Sequence, residues 1–320
     1  MIQKMVILAG LPASGKSSYA MDLMTGDTEA GITWARINWD TLRKERGLLG
    51  KPFSRSAEEA IQAQGFQIAK DMWSRGFNLI IDNTNLSTST VNKWLKFAAD
   101  HSMEVEKVTL PTSVEECIFR DSLRTGFEQV GRIVIERMAL NHGLIKWPDK
   151  PIVIVDMDGT LADNSHRTHF IKKTCQKCYD NDERKFCDNC GSTGWVNGVD
   201  WKTFLRPELI LADPPHSAIV DWVRALAPDH TIVICSGRDA GNADKATVAW
   251  LQKNEVPYHH IFMRNPGDRR DDTIVKQNIL DKLPREKIAF CIDDRKRVCD
   301  MWKQNGLRVF NVSADGIGDF

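Results

Sequence analysis

The stretch IVDMDGTLAD, residues 154–163, decides the fold of the second half of this chain because it joins an apolar run to two closely spaced carboxylates. Asp156 comes where the apolar run ends, and Asp158 follows one residue later. Asp156 at a strand end can attack phosphorus, while Asp158 can give a proton to the leaving oxygen and later take one from water. This pair indicates phosphate-ester chemistry, although an acidic turn is the alternative for the motif by itself.

Later apolar runs end on residues that complement this pair. Magnesium would be held by Asp156, the backbone carbonyl of Asp158 and a second acidic pair, and it would offset the repulsion between an anionic nucleophile and a phosphate. The later candidates are Ser236, Gly237 and Arg238 of ICSGR, Lys276 after the DRRDD loop, and Asp293 with Asp294 at the end of AFCIDD. Because these groups follow successive predicted strands, the acidic turn becomes the weaker interpretation.

The first half contains GLPASGKS, residues 10–17, which has the G-x-x-x-x-G-K-S spacing between a predicted strand and a predicted helix. Its glycines allow backbone N–H groups to surround phosphate oxygens at a helix N-terminus. Lys16 should reach the β- and γ-phosphates of ATP, and the Ser17 hydroxyl should bind magnesium. The predicted ATP site comprises Gly10, Ser14, Gly15, Lys16, Ser17 and Ser18. A structural glycine turn is the alternative.

The segment INWDTLR, residues 37–43, is the candidate for the phosphoryl acceptor side. Asp40 would orient or deprotonate an acceptor hydroxyl, and Arg43 would hold a phosphate near it. The alternative is that Asp40 caps a helix and Arg43 is solvated. Asp82, which ends the apolar run NLIID, would act through the magnesium shell or support the acceptor site.

Two arginines follow the predicted strand EVEKVTL in the segment EECIFRDSLRTG. Arg120 and Arg124 are four residues apart, so on a helix they would share one face. On a helical lid they would neutralise the charge of a transferring phosphoryl group and contact the nucleotide. An exposed basic face is the alternative.

The order of apolar runs and helical patterns predicts an α/β protein with two three-layer domains and mostly parallel sheets. With 320 residues the chain exceeds what one core usually fills. The predicted boundary is WPDKP, residues 147–151, which separates domains at 1–147 and 151–320.

Composition excludes several classes of protein. Lys plus Arg and Asp plus Glu both total 43, so extended wrapping of nucleic acid is not expected. No stretch approaches the roughly 20 apolar residues that span a bilayer, which predicts a cytoplasmic protein, in the host cytoplasm if its source is viral. Four of the eight cysteines stand singly, which argues against a disulfide framework.

The other four cysteines form the pattern C-x2-C-x8-C-x2-C inside an insert at about residues 165–200. Two such pairs can supply four thiolates for a structural zinc ion, and a small zinc-ribbon cap beside the Asp156 motif follows from this. Free surface thiols or a redox pair are the alternative. The predicted ligands are Cys175, Cys178, Cys187 and Cys190.

Together these motifs resemble the polynucleotide kinase-phosphatase family of T-even bacteriophages. The segments GLPASGKSS, INWDTLR, DNTNL, RDSLR, DMDGTLA, VICSGR, GDRRDD with IVK, IDDR and the terminal GDF occur in the family's order. The resemblance implies an adenylate-kinase-like P-loop kinase domain followed by a haloacid-dehalogenase-type, Rossmann-like phosphatase domain. The Cys-rich insert departs from the T-even phage protein.

The resemblance also implies roles for individual residues. Asp40 would be the base for a 5′-hydroxyl, Arg43 would contact the 3′-phosphate of the acceptor, and Arg124 would contact the donor phosphates. On the phosphatase side, the residues implied around the phosphate, besides Asp156, Asp158 and Asp293, are Arg167, Arg238, Asp272 and Lys276.

The expected activity is healing of DNA or RNA ends, with ATP, magnesium and structural zinc as cofactors. It comprises 5′-hydroxyl phosphorylation and removal of a 3′-phosphate or a 2′,3′-cyclic phosphate, and a separate ligase would act afterwards. No membrane partner is expected, and a homo-oligomer is allowed. Two alternatives remain: a bifunctional kinase and phosphatase of a small metabolite, and a zinc-ribbon module that binds nucleic acid.

Overall fold

The computed structural model describes residues 2–29, 32–49, 54–174, 195–197 and 200–313. The chain divides into two compact units, Met1–Ile145 and Lys146–Phe320. Among the described helices, none has the length and apolar character needed to cross a bilayer.

Strands and helices alternate in the first unit. The elements are β1 (Lys4–Ala9), α1 (Lys16–Glu29), β2 (Trp34–Ile37), α2 (Trp39–Glu45), α3 (Arg55–Ser74), β3 (Asn78–Asp82), α4 (Thr88–Asp100), β4 (Glu104–Thr109), α5 (Val114–Ser122) and α6 (Arg132–Asn141). The four strands pair in parallel in the order β2-β3-β1-β4. Since β1 lies between β3 and β4, the loop that leaves β1 opens beside the carboxyl end of β3.

Both faces of β1 are covered, which explains why its sequence MVILA is apolar without interruption. Met5 and Ile7 belong to a buried cluster that includes Trp94 of α4. Val6 and Leu8 point to the other face and pack in a separate cluster with Ala20 of α1. Helices on both faces give this unit its three layers.

The second unit also alternates strands and helices. Its elements are β5 (Ile152–Val155), β6 (Lys172–Thr174), β7 (Trp195–Asn197), α7 (Trp201–Phe204), α8 (Pro207–Ala212), α9 (Ser217–Leu226), β8 (Thr231–Asp239), α10 (Ala240–Lys253), β9 (His260–Arg264), α11 (Asp272–Leu280), β10 (Ile288–Asp293), α12 (Lys296–Gln304) and β11 (Val309–Asn311). Five strands pair in parallel in the order β11-β10-β5-β8-β9. The central position of β5 places Asp156 between the carboxyl ends of β10 and β8.

The predicted α/β class with two mostly parallel sheets is therefore confirmed. The strands β6 and β7 form a separate antiparallel pair, Lys172 opposite Asn197 and Thr174 opposite Trp195. The four predicted zinc ligands and the terminal GDF segment lie outside the described residues.

Candidate active sites

The loop between β1 and α1 has the backbone shape of a phosphate cradle. A Cβ at Gly10 would meet Ser14 Oγ at 2.6 Å, and Gly15 has φ +98°, so both positions need glycine. Ala13 also has a positive φ, at 61°. Thr112 Oγ1 donates to the Ser14 carbonyl at 2.8 Å and ties this loop to the chain after β4.

Lys16 lies inside this cradle. Its Nζ donates to the carbonyls of Gly10 at 3.0 Å and Leu11 at 2.6 Å. Burial lowers the pKa of Lys16, while the carboxylate of Asp82 acts in the opposite direction. Backbone carbonyls thus hold the ammonium at the position where the loop would receive phosphates. Ser17 and Ser18 follow in the first turn of α1, and both are exposed.

The carboxylate of Asp82, at the end of β3, is surrounded by donors. Arg36 contacts its Oδ2 through Nε at 2.8 Å and Nη2 at 2.5 Å. Ser17 Oγ donates to the same oxygen at 2.8 Å. Sequence reasoning missed Arg36, whose one signal is a basic residue inside the short strand WARI. The pairing of β2 with β3 is what brings it to Asp82.

The candidate acceptor residues lie on α2. Arg43 Nη1 contacts Asp40 Oδ1 at 2.5 Å, and its Nε and Nη2 contact the two oxygens of Glu58 at 2.8 and 2.5 Å. The side chain of Asp40 is 78% exposed. Asn38, not Asp40, caps α2 by accepting from Thr41 N at 2.9 Å, so the alternative in which Asp40 caps the helix and Arg43 is solvated is wrong. Glu58 was not singled out from the sequence.

The expectation that Arg120 and Arg124 share a helix face is wrong, because α5 ends at Ser122. The amide of Arg124 donates to the Asp121 carbonyl at 3.1 Å and closes a turn over residues 121–124. The buried Asp121 side chain accepts from the amides of Val130 and Gly131 at 3.1 and 2.7 Å and folds the following segment back. Arg124 therefore lies in the turn that follows the helix.

Arg120 nevertheless lies beside the phosphate cradle, and the charge of Arg124 acts on Lys16. Arg120 Nη1 lies 3.7 Å from the position that a Cβ of Gly15 would take. The charge of Arg124 lowers the pKa of Lys16, and that of Asp40 raises it, after the larger effect of burial. The charges of Asp40 and Arg124 thus both act on the Lys16 ammonium.

In the second unit, the carboxyl ends of β5 and β10 bring three acidic side chains together. Oxygens of Asp156, Asp293 and Asp294 all lie within 4.8 Å of one another. Lys276 Nζ, from α11, contacts Asp156 Oδ1 at 2.7 Å and Asp293 Oδ2 at 2.8 Å. A Cβ at Gly159, where φ is +82°, would overlap the Asp294 carboxylate, which explains the glycine.

The crowding of like charges perturbs this cluster. Burial raises the pKa of Asp156 well above its ordinary value, with Asp293 and Asp294 adding to the rise and Lys276 opposing it. Burial and then Asp293 raise the pKa of Asp294 to about 7. Burial alone would lower the pKa of Lys276, but Asp156 and Asp293 raise it, so the ammonium stays charged. Such a cluster has the oxygen donors and the excess negative charge that suit a divalent cation.

Asp158 is held apart from these carboxylates by two arginines. Arg238 contacts it through Nε at 2.9 Å and Nη2 at 2.7 Å, and Arg167 Nη2 contacts it at 2.6 Å. Burial would raise the pKa of Asp158, but Arg238 and Arg167 lower it well below its ordinary range. Its side chain therefore lies outside the three-carboxylate cluster, and only its backbone carbonyl remains as the metal ligand expected from sequence.

Asp213 was missed from the sequence, although it anchors both arginines. Its carboxylate accepts from Arg167 Nε and Nη2 at 2.7 Å each and from Arg238 Nη2 at 2.9 Å. The Asp213 carbonyl accepts from Trp250 Nε1 at 2.7 Å. Arg167 and Arg238 have fully buried side chains, so in this structure they contact carboxylates and not a solvent-facing phosphate position. The one sequence signal was an acid directly before Pro214 and Pro215.

The other expected phosphatase residues lie at the same edge of the sheet. Ser236 is fully buried in the carboxyl-terminal half of β8, and its Oγ accepts from Arg238 N at 3.2 Å. Asp272 Oδ2 lies 3.8 Å from Lys276 Nζ. A Cβ at Gly237 would overlap the Asp272 carboxylate, so this glycine permits a close approach of α11 to β8.

Both units match families of known proteins. Residues 5–144 match the family model described as an AAA domain. Residues 203–320 match the model described as the polynucleotide kinase PNKP phosphatase domain. A candidate bifunctional polynucleotide kinase/RNA ligase of Autographa californica nuclear polyhedrosis virus is 26% identical over 340 residues, which cover 98% of this chain and 43% of the relative. The chain thus spans less than half the length of that relative.

Solved structures also resemble the chain. A chain of the Pnkp1/Rnl/Hen1 complex matches with 23% identity and a TM-score of 0.37, covering 100% of this chain and 98% of its own length. A haloacid dehalogenase-like family hydrolase from Streptococcus pneumoniae matches with 15% identity and a TM-score of 0.35, covering 51% of this chain and 84% of its own. The chain thus contains, in this order, a segment that matches the AAA domain model and a segment that matches the phosphatase-domain model of polynucleotide kinase PNKP.

Proposed function

We propose that this chain heals nucleic-acid ends, phosphorylating 5′-hydroxyls with ATP and removing 3′-phosphates or 2′,3′-cyclic phosphates. The observation that carries the proposal is the coexistence of two different phosphate sites in one chain. One is the cradle around Lys16, and the other is the buried cluster of Asp156, Asp293, Asp294 and Lys276. A nuclease that leaves a 5′-hydroxyl and a 3′-phosphate creates ends that a ligase cannot join, and these two activities together restore joinable ends.

In the kinase reaction, Asp40 takes the proton of the 5′-hydroxyl while that oxygen attacks the γ-phosphorus of ATP. The bond from the γ-phosphorus to the bridging oxygen breaks, and ADP leaves. The exposure of Asp40 supports its role as a base that solvent-borne acceptor ends can reach. Lys16 and Arg124 would stabilise the negative charge on the transferring group, with Arg120 beside the cradle.

Glu58 and Asp40 flank the Arg43 guanidinium, and this arrangement suits recognition of the acceptor strand. The bidentate contact with Glu58 fixes the plane of the guanidinium. Arg43 would then hold the 3′-phosphate of the acceptor nucleotide next to its 5′-hydroxyl. Because the guanidinium is already oriented, it loses less conformational entropy when the substrate binds.

In the phosphatase reaction, a carboxylate oxygen of Asp156 attacks phosphorus, the bond from phosphorus to the 3′-oxygen breaks, and an aspartyl phosphate forms. Water then attacks that phosphorus and releases inorganic phosphate and the free carboxylate. Lys276 would neutralise phosphate oxygens, since its ammonium lies 2.7 Å from the nucleophile. The buried Ser236 hydroxyl of the neighbouring strand β8 would donate to the same group.

Asp158 would move the protons of both phosphatase steps. The carboxylate form, which Arg238 and Arg167 favour by lowering its pKa, takes a proton from the attacking water. The leaving 3′-oxygen would take its proton from the protonated form of Asp158, which the two arginines disfavour and which the bound anionic substrate would have to favour. We infer that the two arginines act by orienting Asp158, and that Asp213 orients them.

Each site has donors that suit magnesium: the Ser17 hydroxyl near Asp82 in the kinase unit, and Asp156, Asp293 and Asp294 in the phosphatase unit. Bound magnesium would neutralise phosphate charge at both. The C-x2-C-x8-C-x2-C pattern supports one structural zinc ion, and the strands β6 and β7 that flank it in the sequence pair with each other. We further propose a cytoplasmic enzyme that acts before a separate ligase, with DNA or RNA ends as substrates and self-association allowed.

The test uses the whole chain with ATP labelled on its γ-phosphate. Transfer of label to a 5′-hydroxyl oligonucleotide, and release of phosphate from a 3′-phosphate oligonucleotide, are expected, each as DNA and as RNA. Free nucleosides and small sugar phosphates serve as competitors. Preference for the small acceptors would favour a metabolite kinase and phosphatase and overturn the proposal, as would binding of oligonucleotides without turnover.

A further inference from the structure

We infer that Arg36 serves as a displaceable cation of the kinase site. Its guanidinium binds Ser17 and Asp82 until a metal-nucleotide complex binds these two residues in its place. The inference rests on the proposed function in one respect only, the assignment of this pair to the metal side of the nucleotide site. It gives Arg36 a role in excluding free divalent metal from the kinase site before nucleotide binds.

One guanidinium contacts both side chains of the pair. Its Nη2 donates to Asp82 Oδ2 at 2.5 Å and to Ser17 Oγ at 3.1 Å, and its Nε donates to Asp82 Oδ2 at 2.8 Å. Ser17 Oγ itself donates to Asp82 Oδ2 at 2.8 Å. The hydroxyl lone pair and the carboxylate oxygen that would face a metal are thus engaged by the same positive group.

The surroundings explain why a cation is needed there. Asp82 is 1% exposed, and a buried carboxylate without a counter-charge is strongly destabilising. Asn38 Nδ2 adds a neutral donor at 3.2 Å, which does not neutralise the charge. The Arg36 side chain is 27% exposed, so it can leave towards solvent more easily than the carboxylate can.

Competition between two cations for one carboxylate follows from this geometry. A free divalent ion would have to displace Arg36 with only Ser17 and Asp82 as side-chain ligands in return. A metal already bound to a triphosphate also gains the backbone N–H groups of the loop and the Lys16 ammonium. Arg36 therefore favours entry of metal together with nucleotide over entry of metal alone.

An ordinary structural ion pair is the competing explanation for Arg36. In that explanation Arg36 stabilises β2 against β3 and Asp82 takes no part in metal binding, so loss of Arg36 would leave the metal affinity unchanged. The two explanations differ in the affinity of the empty kinase site for free metal, which can be measured without any substrate.

The experiment titrates manganese(II) into the whole chain without nucleotide and follows free ion by electron paramagnetic resonance. Arg36→Gln keeps hydrogen-bond donors for Asp82 but removes the charge, so the protein should still fold. Its kinase site should bind manganese at least about tenfold more tightly than wild type, since about tenfold corresponds to the loss of one charge-assisted hydrogen bond and Arg36 makes two to Asp82. Repeating both titrations in an Asp82→Asn background subtracts the ions bound at the phosphatase carboxylates.

Two further variants sharpen the test. Arg36→Lys keeps the charge and should stay within about threefold of wild type, since a single ammonium still competes for the carboxylate. Arg75→Gln removes an exposed arginine of the same unit, paired with Asp71 at 3.6 Å, and should leave the affinity unchanged. Unchanged or weaker manganese binding in Arg36→Gln, or a lysine variant that matches the glutamine variant, would overturn the inference.

Thermal unfolding gives a second measurement. In metal-free buffer Arg36→Gln should melt below wild type, and manganese should raise its melting temperature by more than it raises that of wild type. An equal rise in both proteins contradicts the competition. Neither measurement uses an oligonucleotide, so a wild-type chain that fails to phosphorylate 5′-hydroxyl ends would sink the proposed function and leave this inference standing.

Discussion

Arg238 holds the carboxylate of Asp158 with two hydrogen bonds, from Nε to Oδ2 at 2.9 Å and from Nη2 to Oδ1 at 2.7 Å. A guanidinium that binds both oxygens of a carboxylate fixes its plane as well as its position. Asp158 is therefore oriented before any substrate arrives. How firmly it is held depends on the residues that position Arg238. Asp213 is the buried group that Arg238 shares with Arg167.

Replacing Asp213 with Asn should disable the phosphatase while sparing the kinase. Two buried guanidiniums would lose one of the two carboxylates that they share, and removal of one partner from a buried ion pair typically costs about 3–5 kcal/mol. Chemical denaturation and both activity assays check this. The control is Asp221→Asn, which affects an exposed pair with Arg224 at 2.8 Å and should change stability by less than about 0.5 kcal/mol. Full phosphatase activity in Asp213→Asn would contradict the orienting role.

Lys16→Ala and Asp40→Ala should each lower 5′-kinase activity at least about a hundredfold and leave the 3′-phosphatase nearly intact. The reason is that the two sets of residues belong to separate sheets. Each variant is measured in both assays, with folding checked by circular dichroism. Equal loss of both activities in a folded variant would indicate one shared site.

Asp156→Asn should stop phosphate release without affecting kinase turnover, because an amide is not an anionic nucleophile. A more direct measurement detects the covalent aspartyl phosphate itself. Rapid acid quench of the wild-type chain with a labelled 3′-phosphate substrate should leave the label on Asp156, as peptide mass spectrometry would show. Label on a different residue would refute the assignment.

Metal binding at the phosphatase carboxylates should tighten as pH rises through about 7. The Asp294 carboxyl, whose pKa burial and Asp293 raise to about 7, carries a proton below that pH, and a metal must expel it. The proton on Asp294 should therefore weaken binding by up to about tenfold for each unit of pH below about 7. Calorimetric titration of magnesium at several pH values measures this. Asp294→Asn should bind more weakly and show a flatter pH dependence, and an unchanged slope in that variant would exclude Asp294 as the titrating group.

Purified protein should contain about one zinc ion per chain if the four clustered cysteines bind it as proposed. Elemental analysis measures the stoichiometry, and Cys187→Ser should lower it. We expect this variant to impair the phosphatase on long substrates more than the kinase. The control is Cys117→Ser, a singly placed cysteine, which should keep the zinc. Zinc-free protein with full activity, from cells supplied with zinc, would sink the proposal.

Much of the framework was predictable because it depends on local sequence. The uninterrupted apolar runs of β1 and β5 indicate strands buried on both faces, and the phosphate-loop pattern requires a helix at Lys16. Asp156 lies at a strand end as the sequence predicts. These inferences need only neighbours along the chain.

Partners that are distant in the chain were not predictable. Arg36 reaches Asp82 because β2 pairs with β3, and neither the pairing nor the side-chain direction can be read from WARI. Glu58 reaches Arg43 from a separate helix for the same kind of reason. The end of α5 was mispredicted because a side chain decides it: Asp121 binds backbone amides nine and ten residues later.

The central position of the first strand in each sheet also sets the order in which the chain can fold during synthesis. In the first unit, β1 pairs with β4, so the sheet cannot be completed until Thr109 has left the ribosome. In the second unit, β5 cannot form its pairing with β10 until Asp293, the last residue of β10, has been synthesised. Parallel pairings between such distant segments form slowly. The first unit can therefore finish folding while the second is still being translated, and a chain whose synthesis ended between the two would contain the Lys16 site without the Asp156 site.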